Sequence, residues 1–226
     1  MKKSKLTPGV IFDWDGVVVD SSGAHRRSWE ILAEKRNLLL PENYFKLGFG
    51  KCNEEIIPRI LRWSHVPEEI KEISDAKEEI FRKIISEEGI EPLPGVRRLL
   101  EDLKLRKIPC AVASSSCRKN IDLALEITDL RTYFSGIISE ECALARKPMP
   151  DVFLQASVKL ERNPSKIVIF EDSLAGIEAG IAGGFKVVAV ATTNPADLLR
   201  RTRAHCVVDS LTKVSVGLID VLLRER

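Results

Sequence analysis

Apolar positions along this chain fall into short continuous runs and longer helical spacings. The runs are Gly9-Val-Ile-Phe12, 109–113, 136–139, 166–170, 185–190 and 205–208, and each reads as a buried strand. Helical spacing fills 95–107, 118–126, 150–161, 173–182 and 195–201, with a closing helix from about 211 to 224. Strands alternating with helices predict parallel βαβ units. The expected fold is α/β, a doubly wound parallel sheet with a Rossmann-like core. The first strand stands apart from the others. Helical patterns at 24–36 (Trp29, Leu32, Ala33), 52–63 and 67–86 follow it, with no convincing strand among them. Glu91-Pro-Leu-Pro-Gly95 marks the return. The expected organisation is a catalytic core of residues 1–20 and 94–226, with an all-helical cap domain, 21–93, inserted after the first strand. A single continuous domain with one long crossover is disfavoured, because the insert is too long for one crossover helix.

Composition narrows the function classes. The 226 residues are 44% hydrophobic and 30% charged, which suits a globular chain and not a disordered one. A formal net charge of +2 gives no electrostatic grip on nucleic acid, so none is expected as a partner. No apolar run approaches the roughly 20 residues needed to span a bilayer, so no membrane association is expected. Residues 1–8 carry charge with no apolar core behind it, unlike a secretory signal. The cysteines are Cys52, Cys110, Cys117, Cys142 and Cys206, an odd set without Cys-x-x-Cys spacing. That spacing argues against a disulfide framework and a zinc finger and for reduced thiols in the cytoplasm. Cys117 has no partner pattern that would make it a nucleophile. A monomer or weak dimer is expected.

Ligands of open parallel sheets bind beyond the carboxyl ends of the strands. There the first strand carries Asp13-Trp-Asp15-Gly16 and the second Ala113-Ser-Ser-Ser116. The loop after the third carries Arg146-Lys147-Pro148, and the fourth ends in Glu171-Asp172-Ser173. Such a set suits phosphoryl transfer. A carboxylate can attack phosphorus, while a lysine and a divalent cation offset the crowded negative charge. Hydroxyls and backbone N–H groups hold phosphate oxygens, and a second carboxyl can move a proton.

Four ordered blocks carry a resemblance: Phe12-Asp-Trp-Asp-Gly-Val17, Val112-Ala-Ser-Ser-Ser116, Lys147-Pro-Met-Pro-Asp151 and Phe170-Glu-Asp-Ser-Leu-Ala-Gly-Ile177. The sequence resembles the haloacid dehalogenase superfamily, in its phosphatase and beta-phosphoglucomutase-like branch with a helical cap. The resemblance implies Asp13 as nucleophile and Asp15 as general acid/base, its backbone carbonyl on the metal. It implies Ser114, with Ser115 beside it, holding the phosphoryl group, and Lys147 bridging that group and the nucleophile. Mg²⁺ is the implied cofactor, held by Asp13, Asp15, Asp172 and Glu171. The dehalogenases of the superfamily lack an acid at the position of Asp15, so its presence implies phosphate esters or anhydrides as substrates.

In the insert, His25 and Trp29 stand at offsets matching the mutase-like branch, which makes His25 a candidate for steadying the general acid. Gly48-Phe-Gly-Lys-Cys-Asn53 resembles the cap specificity loop, with Lys51 where beta-phosphoglucomutases carry a phosphate-binding arginine. A lysine keeps the charge but not the bidentate fork. Arg97-Arg98 and Arg200-Arg201-Thr-Arg203 are expected to be solvated helix faces. The expected activity is a Mg²⁺-dependent phosphatase acting on a small phosphorylated metabolite such as a sugar phosphate. A phosphomutase is the alternative, and a non-catalytic binding protein ranks third.

Overall fold

A computed structural model describes residues 7–142 and 144–224. Residues 1–6, most of the amino-terminal segment read above for a signal, lie outside the described residues, as do 143, 225 and 226 of the expected core. Six parallel strands form one sheet: β1 (Gly9–Phe12), β2 (Cys110–Ala113), β3 (Phe134–Ile138), β4 (Ile167–Glu171), β5 (Lys186–Val190) and β6 (Cys206–Val208). Their order is β3-β2-β1-β4-β5-β6, so the chain reverses direction across the sheet at β1. Ligands of doubly wound folds lie at such a reversal.

The continuous apolar strands follow from burial on both faces. Val10 and Phe12 point to one side, where Leu99, Leu100 and Leu103 of α5 (Val96–Leu105), Ile121 of α6 (Arg118–Ile127) and Ile219 of α10 (Val216–Arg224) cover them. Ile11 points to the other side, against Phe153 of α7 (Asp151–Lys159) and Ile177 of α8 (Leu174–Ala182). A short helix, α9 (Ala196–Leu199), precedes β6.

Residues between β1 and α5 form α1 (Ser22–Arg36), α2 (Tyr44–Gly48), α3 (Asn53–Glu55), a π-helical stretch Ile56–Leu61 and α4 (Pro67–Glu88). Trp29, Leu32, Ile56, Ile57, Leu61 and Ile73 pack into a third apolar cluster of their own. Helix α4, about 33 Å long at 1.5 Å per residue, belongs to two clusters. Ile73 lies in the helical one, while Phe81 and Ile85 join the core beside the sheet. The chain leaves and re-enters the sheet side by side: Val19 bridges Pro92, and the Leu93 N–H donates to the Val18 carbonyl at 2.9 Å.

Some sequence expectations shift. The helix expected at 195–201 closes at Leu199, and α2 had no pattern to announce it. The helix expected from 211 is interrupted. Leu211–Lys213 is a 3-10 turn, and α10 begins only at Val216. Arg98 supplies the reason. Its guanidinium donates to the carbonyls of Leu211, Thr212 and Val214, at 3.2, 3.3 and 2.7 Å. Arg97 likewise donates to the Thr128 carbonyl at 2.7 Å. Both arginines lie exposed on the helix face, as expected, and also clamp neighbouring segments.

Candidate active site

Hydrogen bonding between β1 and β4 runs on past the strands, the Asp13 N–H donating to the Phe170 carbonyl at 3.0 Å. This sets Asp13 beside Glu171 and Asp172. All three are buried, and one carboxylate oxygen from each lies within 4.8 Å of the others. Lys147, arriving from the loop before α7, donates from Nζ to Asp13 Oδ1 at 2.8 Å and to Glu171 Oε1 at 2.7 Å. Two of the three buried acids thus share one ammonium. Burial pushes the Asp13 carboxyl up to about 7, with Lys147 pulling against it and Glu171 adding to it. Asp172 is raised well above its ordinary value by burial and by the charges of Glu171 and Asp13. Burial alone would lower the Lys147 ammonium, but Asp13 and Glu171 outweigh it and hold it above its usual range.

That unbalanced negative charge, built from oxygen donors without histidine or thiolate, fits a hard divalent cation such as Mg²⁺. Asp172 Oδ2 is oriented by the Thr193 hydroxyl, and the Asp172 carbonyl accepts from Asn194 Nδ2 at 3.0 Å. The Thr192 hydroxyl donates to the Gly16 carbonyl at 2.5 Å. Gly16 adopts φ +82°, and a Cβ there would lie 2.1 Å from Asp172 Oδ2. Both the turn and the approach require glycine.

Glu171 is held as firmly. Its Oε2 accepts the Ser173 N–H at 2.6 Å and the Ser173 hydroxyl at 3.0 Å. It lies against the first turn of α8, where a Cβ on Gly176 would fall 1.6 Å from Oε1. Gly176→Ala is therefore expected to displace Glu171, lowering both turnover and stability, the latter by about 1–3 kcal/mol. Gly23→Ala, whose added Cβ meets nothing within 4 Å, is expected to leave both intact. Thermal melts and turnover of the two variants check this pair.

Asp15 has a different environment. Its carboxylate accepts from the Ser21 hydroxyl at 2.5 Å and from the Ser116 hydroxyl, and His25 Nε2 lies 3.6 Å away. Burial would raise its pKa, but the His25 interaction and the two hydroxyls prevail and hold it at about 2. His25 is fixed from behind. Lys77 Nζ lies 2.6 Å from Nδ1, and the Phe81 ring stacks on the imidazole at 4.0 Å. An ammonium only donates, so Nδ1 accepts and the neutral ring carries its proton on Nε2, facing Asp15. Lys77 also meets Glu78 at 2.8 Å, and Glu78 accepts from Asn53 at 2.7 Å and from Asn120 at 2.6 Å. One polar network thereby ties α3 and α4 to α6.

Ser114 is buried; its N–H donates to the Ile138 carbonyl at 3.0 Å, and its hydroxyl accepts the Ser116 N–H at 3.0 Å. Ser115 is partly exposed next to it. Lys51 is not drawn into the cluster: its Nζ pairs with Glu55 at 2.5 Å on the surface of the insert. Arg146, immediately before Lys147, reaches the insert instead, meeting Glu54 at 2.9 Å and the Cys52 thiol. The sequence reading passed over Thr192, Thr193, Ser21 and Lys77. Position alone could have flagged Thr192 and Thr193, which directly follow β5 at the same sheet edge.

The order of the sheet and the acid–lysine cluster at its reversal point define a Rossmann-like α/β core with its candidate site at the switch point. A family model of haloacid dehalogenase-like hydrolases matches residues 10–190, and the chain belongs to that family. The chloroplastic 5-amino-6-(5-phospho-D-ribitylamino)uracil phosphatase of Arabidopsis thaliana is 31% identical over 211 residues, 92% of this chain and 56% of that protein. The chain thus spans little more than half the length of that relative. The beta-phosphoglucomutase of Bacillus subtilis (strain 168) is 30% identical over 211 residues, 89% of this chain and 92% of that protein. A crystal structure of a HAD hydrolase, family IA, variant 3, from Entamoeba histolytica HM-1:IMSS superposes with a TM-score of 0.88 at 26% identity, covering 97% of this chain and all of that one.

Proposed function

We propose that this chain is a Mg²⁺-dependent phosphatase that hydrolyses a small phosphorylated metabolite, of the sugar phosphate kind, through an aspartyl phosphate on Asp13. The observation that carries the reading is the position of Lys147, bonded at once to Asp13 and Glu171 beside Asp172. The names of the plant phosphatase and the bacterial phosphoglucomutase support the class of substrate. In this reading residues 1–20 and 94–226 are the catalytic core and 21–93 the cap over it.

Asp13, Glu171, Asp172 and the Asp15 carbonyl would hold Mg²⁺, which when bound supplies positive charge against the carboxylates and the phosphoryl oxygens. Asp13 Oδ attacks phosphorus as the bond to the leaving oxygen breaks. Lys147, Ser114 and Ser115 hold the phosphoryl oxygens through that step. Asp15 gives the leaving oxygen its proton and afterwards takes one from the attacking water. Held by His25, Ser21 and Ser116 it is a carboxylate, so the acid role requires it to turn from these partners, take up a proton from solvent and present it to the leaving oxygen. His25 and Lys77 thereby act on the reaction through Asp15. Lys51 would reach a distal substrate anion only by leaving Glu55.

A phosphomutase is the second reading, favoured by the match to nearly the full length of the Bacillus protein. The pairing of Lys51 with Glu55 weighs against it, since a bisphosphate intermediate needs a cation free for its second phosphate. A panel of phosphorylated metabolites, assayed for released phosphate with MgCl2 and with EDTA, separates the readings. Stoichiometric phosphate release dependent on Mg²⁺ is expected. An isomeric phosphate formed without release would establish the mutase, and inactivity across the panel would overturn both.

A further inference from the structure

The edge of the sheet opposite Asp13 holds a cavity of about 660 Å³, where β4, β5 and β6 begin. Lys166, Lys186, Arg203 and Arg224 line it together with His205, and among the described residues no acidic side chain does. None of the four cations forms an ion pair among the described residues. Arg203 was expected to be part of a solvated helix face. It lies beyond α9, at the rim of this cavity.

His205 is held beside them, its Nδ1 accepting the Val187 N–H at 3.1 Å. The basic side chains offer donors and positive charge. Their complement is a ligand made of acceptors and negative charge, and lysine and arginine together match phosphate oxygens. The size is that of a small-molecule site, in the range of about 300–1,000 Å³. A strand of nucleic acid would require a basic groove running on across the surface, whereas here the charge is gathered round one concavity with an apolar wall at Ile181.

We propose that this cavity binds a small, multiply charged phosphate-bearing anion at a site separate from the Asp13 cluster. The anion sits among Lys166, Lys186, Arg203 and Arg224. The site is independent of the phosphatase reading, since none of its residues touches the acid–lysine cluster.

The test is a titration of the ¹⁵N-labelled full chain with inorganic pyrophosphate in EDTA, followed residue by residue through its amide resonances. Saturable shifts are expected at Lys166, Lys186 and His205. The double variant Lys186→Ala/Arg203→Ala should raise the Kd by about tenfold or more, while phosphate-ester turnover stays at the wild-type level. Arg203→Ala alone, at an exposed position, should weaken binding by a smaller factor and guards against a folding defect in the double variant. Shifts confined to the neighbourhood of Asp13 and Ser114, shifts that never saturate, or a Kd unchanged in both variants would overturn the proposal. Binding of an acidic peptide or an RNA oligomer at these residues without pyrophosphate binding would also overturn it.

Discussion

Replacing Asp13 by asparagine is expected to abolish turnover and to stabilise the metal-free protein. The amide keeps the size of the side chain but cannot attack phosphorus, so kcat should fall by about ten-thousand-fold or more. Stability should move the other way. The folded-state pKa of Asp13 is raised by burial to about 7 from an ordinary 3.8. A carboxyl raised in this way contributes its stability while protonated and loses it as pH climbs from the unfolded toward the folded value. The asparagine pays no such penalty. In EDTA the variant should match the wild type near pH 4 and exceed it near pH 8, by about 1–2 kcal/mol. Melting curves at the two pH values, beside turnover, read both effects. A variant that keeps turnover ends the nucleophile assignment. One that loses stability at pH 8 shows that the carboxylate is not carrying the strain assigned to it.

Lys147→Met carries the second large effect, in the opposite thermodynamic direction. Among the described residues the ammonium is the one cation bonded to Asp13 and Glu171. Its removal leaves the buried Asp13 and Glu171 without this partner. Breaking a buried pair from one side costs about 3–5 kcal/mol, and that is the expected loss of stability in EDTA at pH 7. Turnover should fall by about a thousandfold, the scale on which removing one charge-stabilising donor acts. Titrating MgCl2 should then raise the melting temperature of the variant more than that of the wild type, because the variant has the larger charge deficit. An unchanged melting temperature in EDTA would mean that the ammonium does not stabilise the acid cluster, and the role given to Lys147 in the site would be wrong.

The strands and the acids at their ends were legible because burial on both faces imposes continuous apolar runs, and because carboxylates directly after such runs stand out. Gly9–Phe12 followed by Asp13 and Ile167–Phe170 followed by Glu171 and Asp172 are the clearest cases. Sheet order, which no local pattern encodes, then set the β1 and β4 ends side by side. The residues that orient the acids were less visible. Thr193 on Asp172, Ser21 and Ser116 on Asp15, and Lys77 behind His25 are common residue types with no periodicity. Their roles exist only through contacts between distant segments. Lys77 reads in sequence as one more charge on a charged helix, yet it is buried between the Trp29 and Phe81 rings. Arg98 lies exposed as expected, but its second role was hidden for a related reason. Being exposed did not prevent it from holding three carbonyls of another segment.

The most direct measurement is a rapid acid quench of the protein turning over a phosphate ester with Mg²⁺, followed by peptide mass spectrometry. The account predicts one phosphoryl group on the peptide containing Asp13, localised to that side chain and missing from Asp13→Asn. Phosphate release during rapid turnover with no phosphoryl group on Asp13 at any quench time, or with the group on another residue, would contradict it.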